Sequence, residues 1–119
     1  REGVMKIAVS ATGSDLNASV DRRFGRCTWF LFVDTESLHY ETVENKDADS
    51  ASGAGTACAQ LVLEKDVNAV ITGQVGPNAF AILTQGCVKI FLAPDGMGVR
   101  EAIARHQNGE LRPMEMKVF

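Results

Sequence analysis

The stretch Ala69-Val70-Ile71-Thr72-Gly73-Gln74-Val75-Gly76-Pro77-Asn78-Ala79-Phe80 decides the fold of this 119-residue chain. It opens with a short apolar run, 69–72, which predicts a buried β-strand. Gly73 and Gly76 then indicate a turn. Pro77 is a residue type favoured in the first turn of a helix, so we predict a helix over 76–84. A buried strand followed closely by a helix is typical of an α/β protein.

Four more strands are predicted on either side of this stretch. Residues 5–10 (MKIAVS) and 88–92 (VKIFL) are short runs rich in β-forming residues. Residues 27–34 (CTWFLFVD) are apolar throughout, as expected for a central strand that is covered on both faces. Residues 38–44 (LHYETVE) alternate in polarity and indicate a strand nearer an edge.

Two more helices complete the predicted element order. They cover 53–65 and 99–107, the second ended by Asn108 and Gly109, and the last ten residues look loosely extended. Short links make the first three strands antiparallel, whereas helical crossovers before the fourth and fifth imply parallel pairing. The simplest result is an α/β fold with a mixed five-stranded sheet in the order 3-2-1-4-5, flanked by three helices.

This topology brings many glycines to the end of the sheet where the parallel strands have their carboxyl ends. They are Gly13, Gly25, Gly53, Gly55, Gly73, Gly76, Gly96 and Gly98. Ligands of open α/β sheets bind at this end. Helix N-termini there present free N–H groups and a partial positive charge, which suits an anion. Glycines also simply form turns, so the element order alone leaves both interpretations open.

A cationic segment beside a cysteine is expected at the same end. Arg23 and Arg26 flank Phe24 and Gly25 just before Cys27. Nearby arginine favours the thiolate, which is the form of cysteine that binds metal. The alternative is a solvated run of charges followed by a small buried cysteine, and both interpretations remain open here.

The other cysteines and the histidines indicate less chemistry. Cys58 falls in the first turns of a predicted helix, where packing is the favoured interpretation. Cys87 opens the fifth strand at the opposite end, and the chain has no CxxC pair. His39 and His106 are expected at that opposite end too, on the surface, and their wide separation in the chain does not fit a histidine metal centre.

Charge and length exclude several classes of protein. Lys and Arg number 12 and Asp and Glu 15, which gives a net charge of −3 and no broad basic footprint for nucleic acid. No apolar run approaches the ~20 residues needed to cross a bilayer. Residues 1–4 look like a leader or cloning remnant ahead of a natural start at Met5. We therefore expect one cytoplasmic domain over 5–119, without nucleic-acid or membrane partners.

Catalysis lacks the residues that it would need. The predicted sheet order is similar to the ribonuclease-H-like arrangement, whose chemistry needs strand carboxylates to hold two metal ions. The first strand contains neither Asp nor Glu, and Asp15 and Asp21 fall in the following loop, where they could be solvated. No GxSxG, Walker A or Cys–His nucleophile pair occurs. We predict that the protein is not an enzyme.

Several segments are specific enough to indicate a family. The most specific are RFGR at 23–26 and TGQVGPNAF at 72–80, and they are accompanied by MKIAVS at 5–10, VDRRFGRCTWFLF at 20–32, GAG at 53–55, DVNAVITGQVGPNAF at 66–80 and EAIARHQNGEL at 101–111. Together these segments resemble the dinitrogenase iron–molybdenum cofactor biosynthesis family, which includes the NifX-type carriers. The resemblance spans nearly the whole chain, from Met5 to about Arg112.

The resemblance implies a ribonuclease-H-like three-layer fold. It also implies binding of the iron–molybdenum cofactor, a precursor or a related metal–sulfur cluster during assembly, with cofactor-assembly proteins as partners. The expected contacts are Arg23, Gly25, Arg26, Gly53, Ala54, Gly55, Thr56, Gly73, Gln74, Gly76 and Asn78, with Cys27 as a metal ligand. The alternative is a small protein-interaction or regulatory module without a bound cluster.

Overall fold

A computed structural model describes residues 5–46, 48 and 53–114 of the chain. These residues form an α/β fold with three helices and a mixed, open sheet of six strands. The elements are β1 (Lys6–Ala11), β2 (Trp29–Asp34), β3 (Tyr40–Glu44), α1 (Ala54–Glu64), β4 (Ala69–Thr72), α2 (Pro77–Gln85), β5 (Lys89–Leu92), α3 (Val99–Gln107) and β6 (Arg112–Pro113). The leader expected at 1–4 lies outside the described residues.

The sheet has the strand order β3-β2-β1-β4-β5-β6. β1 pairs antiparallel with β2 and parallel with β4, and β4 pairs parallel with β5. The expectation of five strands was wrong by one, because Arg112–Pro113 pairs antiparallel with the end of β5. A two-residue edge strand that contains proline has too few residues to show a period. The ribonuclease-H-like assignment stays a prediction.

Two apolar cores lie on opposite faces of the sheet and create three layers. Phe30 and Phe32 of β2 point into the core under α1 and α2. Leu31 and Val33, the alternate residues of the same strand, point into the core under α3. Because β2 is covered on both faces, its apolar run is unbroken.

This layering places the starts of α1 and α2 side by side on one face of the sheet, where the two helices pack together. α2 follows β4 after a short turn, as the quoted stretch predicts. No helix within the described residues is both long and apolar enough to cross a bilayer.

Candidate functional site

A small cavity forms where the N-termini of α1 and α2 meet residues 22–26, the arginine-bearing segment. Its volume is about 180 Å³. The lining consists of the starts of both helices and two residues of that segment: Phe24, Gly25, Gly53, Gly55, Thr56, Gly76, Pro77, Asn78 and Ala79. The structure therefore brings together six residues predicted for the site, namely Gly25, Gly53, Gly55, Thr56, Gly76 and Asn78.

The first turn of α1 contributes Gly55 and Thr56 to the cavity wall and contains backbone donors that lie ahead of the helical ladder. Gly53 precedes the helix with φ 79°, a left-handed conformation that glycine adopts without steric cost. The backbone N–H of Ala57 donates to the Gly53 carbonyl at 3.0 Å and begins the helical ladder. The N–H groups of residues 54–56 precede that bond and have no carbonyl four residues before them in the helix.

The first turn of α2 presents donors from the other side. The N–H of Phe80 donates to the Gly76 carbonyl at 2.9 Å, so the N–H groups of Asn78 and Ala79 lie ahead of the helical ladder. Pro77 has no N–H and occupies a position where none is needed.

The electrostatic character of the two helix starts is the same. Neither N-cap glycine provides a side-chain cap, and the first turn of neither helix contains an acidic residue. α3 differs, because Glu101 lies in its first turn. The partial positive charges of the α1 and α2 N-termini are therefore not offset by a carboxylate of their own first turns.

Some of the predicted glycines are required by packing. A Cβ added to Gly25 would lie 2.9 Å from the Cα and N of Gly55, so these two backbones touch at the cavity wall. A Cβ on Gly73 would lie 2.4 Å from the Cα of Arg22. Gly73 does not line the cavity; it allows the arginine-bearing segment to cross the end of β4.

The arginine-bearing segment is attached to the turn after β4. The backbones of Arg23 and Gln74 form an isolated parallel β-bridge, and the N–H of Phe24 donates to the Gln74 carbonyl at 3.2 Å. The Arg23 guanidinium lies 3.4 Å from the Asp21 carboxylate, with 54% of the side chain exposed. Arg26 is half-buried and donates to the Ala48 carbonyl at 2.9 Å. Both cations lie next to cavity residues in the chain.

A buried polar cluster that was not predicted from the sequence holds this segment. Ser10 Oγ lies 2.7 Å from both the Asp21 carbonyl oxygen and Thr72 Oγ1. The Asp21 carboxylate accepts the N–H of Arg23 at 2.9 Å and is 7% exposed as a residue, so the expectation that it could be solvated was wrong. The available signal was Ser10 and Thr72, two hydroxyls at the ends of apolar runs that predict adjacent strands.

The cysteines differ in their environments. Cys27 is fully buried, and burial, together with nearby Cys58 and Asp21, raises the pKa of its thiol far above the usual value. The expected arginine effect on this thiol therefore does not dominate, because desolvation disfavours the thiolate more strongly. Cys58 is buried too, while Cys87 is exposed.

The histidines do not assemble a metal centre. His39 is exposed as expected, whereas His106 is half-buried, because its ring packs edge-on against Phe91 with centroids 4.5 Å apart. Burial lowers the pKa of His106. Across the described part of the chain, no three His, Cys, Asp or Glu side chains lie together in a way that could hold a metal ion.

Comparison with known proteins identifies relatives of the whole fold. The apo form of the orange protein from Desulfovibrio gigas superposes with a TM-score of 0.87 at 32% identity, covering 97% of this chain and 100% of the other. The NMR structure of a Thermotoga protein, described provisionally as a NifB protein of the DUF35 family, gives 0.82 at 36% identity and 97% coverage of both chains.

The same grouping is found from sequence. An uncharacterized protein of Methanocaldococcus jannaschii is 30% identical over 115 residues, which is 94% of this chain and 93% of that protein. The sequence profile of the family described as dinitrogenase iron–molybdenum cofactor matches residues 5–109. The matched region covers both helix starts, the arginine-bearing segment and the cavity between them. This chain belongs to the dinitrogenase iron–molybdenum cofactor family.

Proposed function

We propose that this protein binds and carries an anionic metal–sulfur cluster, which is the iron–molybdenum cofactor, a precursor of it or a related cluster, during cofactor assembly. The observation that carries the proposal is the convergence of two helix N-termini on one cavity, without a carboxylate in either first turn. Family membership supports the choice of cargo. The proposal places the protein with carriers and not with enzymes.

The cavity attracts an anion locally although the whole chain is acidic. The net charge of −3 would repel an anion at long range, but screening limits that effect to about 8–10 Å at physiological salt. Within the cavity, backbone N–H groups at residues 54–56 and 78–79 can donate to sulfide or thiolate ligands of a cluster. In this proposal Arg23 and Arg26 add positive charge at the rim.

The size of the cavity favours a carrier. A volume of about 180 Å³ corresponds to roughly six water molecules at ~30 Å³ each. A cluster of several metal and sulfide ions would extend beyond the cavity, and a partner protein could reach its exposed side. Partial enclosure suits a cargo that must be released to cofactor-assembly proteins.

Cys27 has a conditional place in this proposal. Its thiol is fully buried and donates to the Phe24 carbonyl at 3.4 Å, and its raised pKa means that a metal must displace the proton before the sulfur can act as a ligand. The proposal therefore assigns the main contacts to backbone N–H groups and arginines, with Cys27 as an additional ligand.

Anaerobic reconstitution tests the proposal. The protein is incubated with iron, sulfide and tetrathiomolybdate, desalted, and analysed for metal content and visible absorbance. We expect stoichiometric metal and a charge-transfer band. A folded protein that stays colourless and metal-free contradicts cluster binding and favours the alternative, a protein-interaction module.

A further inference from the structure

Three elements meet at the side chain of Asn45, which is 7% exposed as a residue. Its Nδ2 donates to the Gly25 carbonyl at 3.1 Å and to the Cys27 carbonyl at 2.8 Å. Its Oδ1 accepts the thiol of Cys58 in α1 at 3.4 Å. The carboxamide therefore connects the end of β3 with the arginine-bearing segment and with α1.

The sheet fixes the position of Asn45. Its backbone N–H donates to the Thr28 carbonyl at 3.0 Å, which continues the ladder that pairs Trp29 of β2 with Glu44 of β3. Gly25, in contrast, lies in a turn between β1 and β2. The two carbonyl bonds of the carboxamide thus tie this turn to the edge of the sheet.

The turn that Asn45 holds forms one wall of the cavity together with α1. Gly25 and Gly55 both line the cavity, and a Cβ added to Gly25 would lie 2.9 Å from the Cα and N of Gly55. Cys58 lies three positions after Gly55, on the same face of α1. Asn45 therefore contacts both sides of the wall, one through the Gly25 carbonyl and the other through the Cys58 thiol.

We propose that Asn45 is a positioning residue of the anion site, whose carboxamide sets the separation between the arginine-bearing segment and the first turn of α1. This inference rests on the proposed function, because it assigns Asn45 a role in binding the same cargo. Asn45 does not line the cavity, so it acts through Gly25 and α1.

An asparagine suits this role because one planar group provides two N–H donors and an acceptor oxygen. The Cys27 carbonyl bond is buried and the Gly25 carbonyl bond is partly buried. A buried carbonyl that loses its donor is costly to leave unpaired. Without the carboxamide, we expect the turn to shift until water or another donor reaches these oxygens, and the cavity wall to shift with it.

The chain provides two test variants and a matched control. N45A removes both N–H donors and the acceptor oxygen. N45S leaves a smaller void, and its single hydroxyl hydrogen can satisfy at most one of the two carbonyls. The control is N68A: Asn68 Oδ1 accepts the backbone N–H of Lys6 at 2.9 Å, just before β4 and at the other end of the sheet.

The binding experiment uses tetrathiomolybdate, a coloured and achiral anion, with no iron present. Equilibrium dialysis gives the affinity, and visible circular dichroism of the saturated complex reports how the anion is held, since an achiral chromophore gains a signal only from chiral surroundings. We expect N45A to bind about 10–100-fold more weakly, as is typical when a group that orients binding groups is removed. N45S should also bind more weakly, and N68A should match the wild type.

The circular dichroism band separates positioning from a contribution to stability alone. We expect the band per bound molybdenum to change in N45A and N45S, because the walls around the anion have moved. If Asn45 only stabilised the fold, urea denaturation would show a lower free energy of unfolding, and the band of the saturated complex would stay the same.

NMR spectra of the ligand-free protein give a readout that does not depend on cargo. We expect the amide signals of Gly55 and Thr56 to shift in both Asn45 variants and to stay in place in N68A.

Two results would overturn the proposal. One is wild-type affinity together with an unchanged dichroism band in folded N45A or N45S, and the other is unchanged Gly55 and Thr56 amide signals in these variants. If N45A does not fold, N45S decides. Absence of binding in the wild type is a different result, which contradicts the proposed function, and the amide signals then still decide whether Asn45 positions the cavity wall.

Discussion

Asn78→Asp should strengthen the fold and weaken cluster binding, and these opposite effects test whether the anion binds at the helix starts. Asn78 lines the cavity in the first turn of α2 and is exposed. Asp has nearly the same shape as Asn, so the substitution changes charge with little change in packing. A carboxylate at this position interacts favourably with the N-terminal partial charge of α2 but repels an anion in the cavity.

The expected magnitudes follow from the position of the new charge. At a separation of about 6 Å, a unit charge and a dianion repel by about 1.4 kcal/mol at a dielectric constant of ~80 and by about 2.8 kcal/mol at ~40. These energies correspond to binding that is about 10-fold to about 100-fold weaker. The same carboxylate should raise the free energy of unfolding by about 0.3–1 kcal/mol through the helix dipole.

Gln85→Glu is the matched control because it adds the same charge to the other end of the same helix. Gln85 is exposed at the C-terminus of α2, about 10 Å from Asn78 along the helix axis. That distance is close to the screening length at physiological salt, so binding should change little. The free energy of unfolding should fall slightly, because a negative charge at a helix C-terminus is unfavourable.

The assay combines two measurements on each variant. Tetrathiomolybdate binding is followed by equilibrium dialysis with molybdenum analysis at low and high salt, and stability is measured by urea denaturation. Wild-type affinity in Asn78→Asp would refute the location of the anion at the helix starts. An equal loss in Gln85→Glu would mean that net charge, and not position, controls binding.

Three other predictions test packing and titration. Gly25→Ala should lower the free energy of unfolding by about 1–3 kcal/mol in urea denaturation, because the added Cβ would lie 2.9 Å from backbone atoms of Gly55. Gly76→Ala is the control and should be nearly neutral, because a Cβ there would have no atom within 4 Å. Equal stabilities of the two variants would contradict the close backbone approach. Treatment of the native protein with Ellman's reagent at pH 8 should modify one thiol rapidly, and peptide mapping should identify it as Cys87. Cys27 and Cys58 should react slowly, because both are buried and burial raises the pKa of Cys27. Fast modification of all three thiols would show that the core is open. The free energy of unfolding should fall as the pH drops below about 6.5, because burial lowers the pKa of His106 in the folded protein and the unfolded chain takes up the proton first. His106→Gln should reduce this pH dependence, and His39→Gln should not. Identical pH profiles in the wild type and both variants would exclude His106 as the source.

The glycine-rich end of the sheet was predictable in outline but not in detail. Gly25, Gly53 and Gly76 were named from turn patterns, and the structure places all three on the cavity wall. Turn patterns could not show that Gly25 touches Gly55, because that contact joins residues thirty positions apart in the chain. They also gave no reason to separate Gly73, which serves packing against Arg22, from glycines that line the cavity.

The charged and sulfur-bearing residues were less predictable than the glycines. Asp21 was expected in a loop where it could be solvated, whereas for Cys27 an activated thiol and a small buried cysteine were both open. Both side chains are buried, since the segment folds back over the ends of β1 and β4. Burial and pKa depend on every neighbour in space, and most of those neighbours come from other elements.

The sequence by itself determined the alternation of strands and helices, because apolar periodicity and turn residues act over a few positions. It also determined family membership, through segments such as TGQVGPNAF at 72–80. Only the tertiary structure decided that the starts of α1 and α2 share one cavity, and that Cys27 and Cys58 contact the same Asn45. The physical reason is that these arrangements depend on how the layers pack across the sheet, and local sequence patterns carry no record of which distant residues will meet.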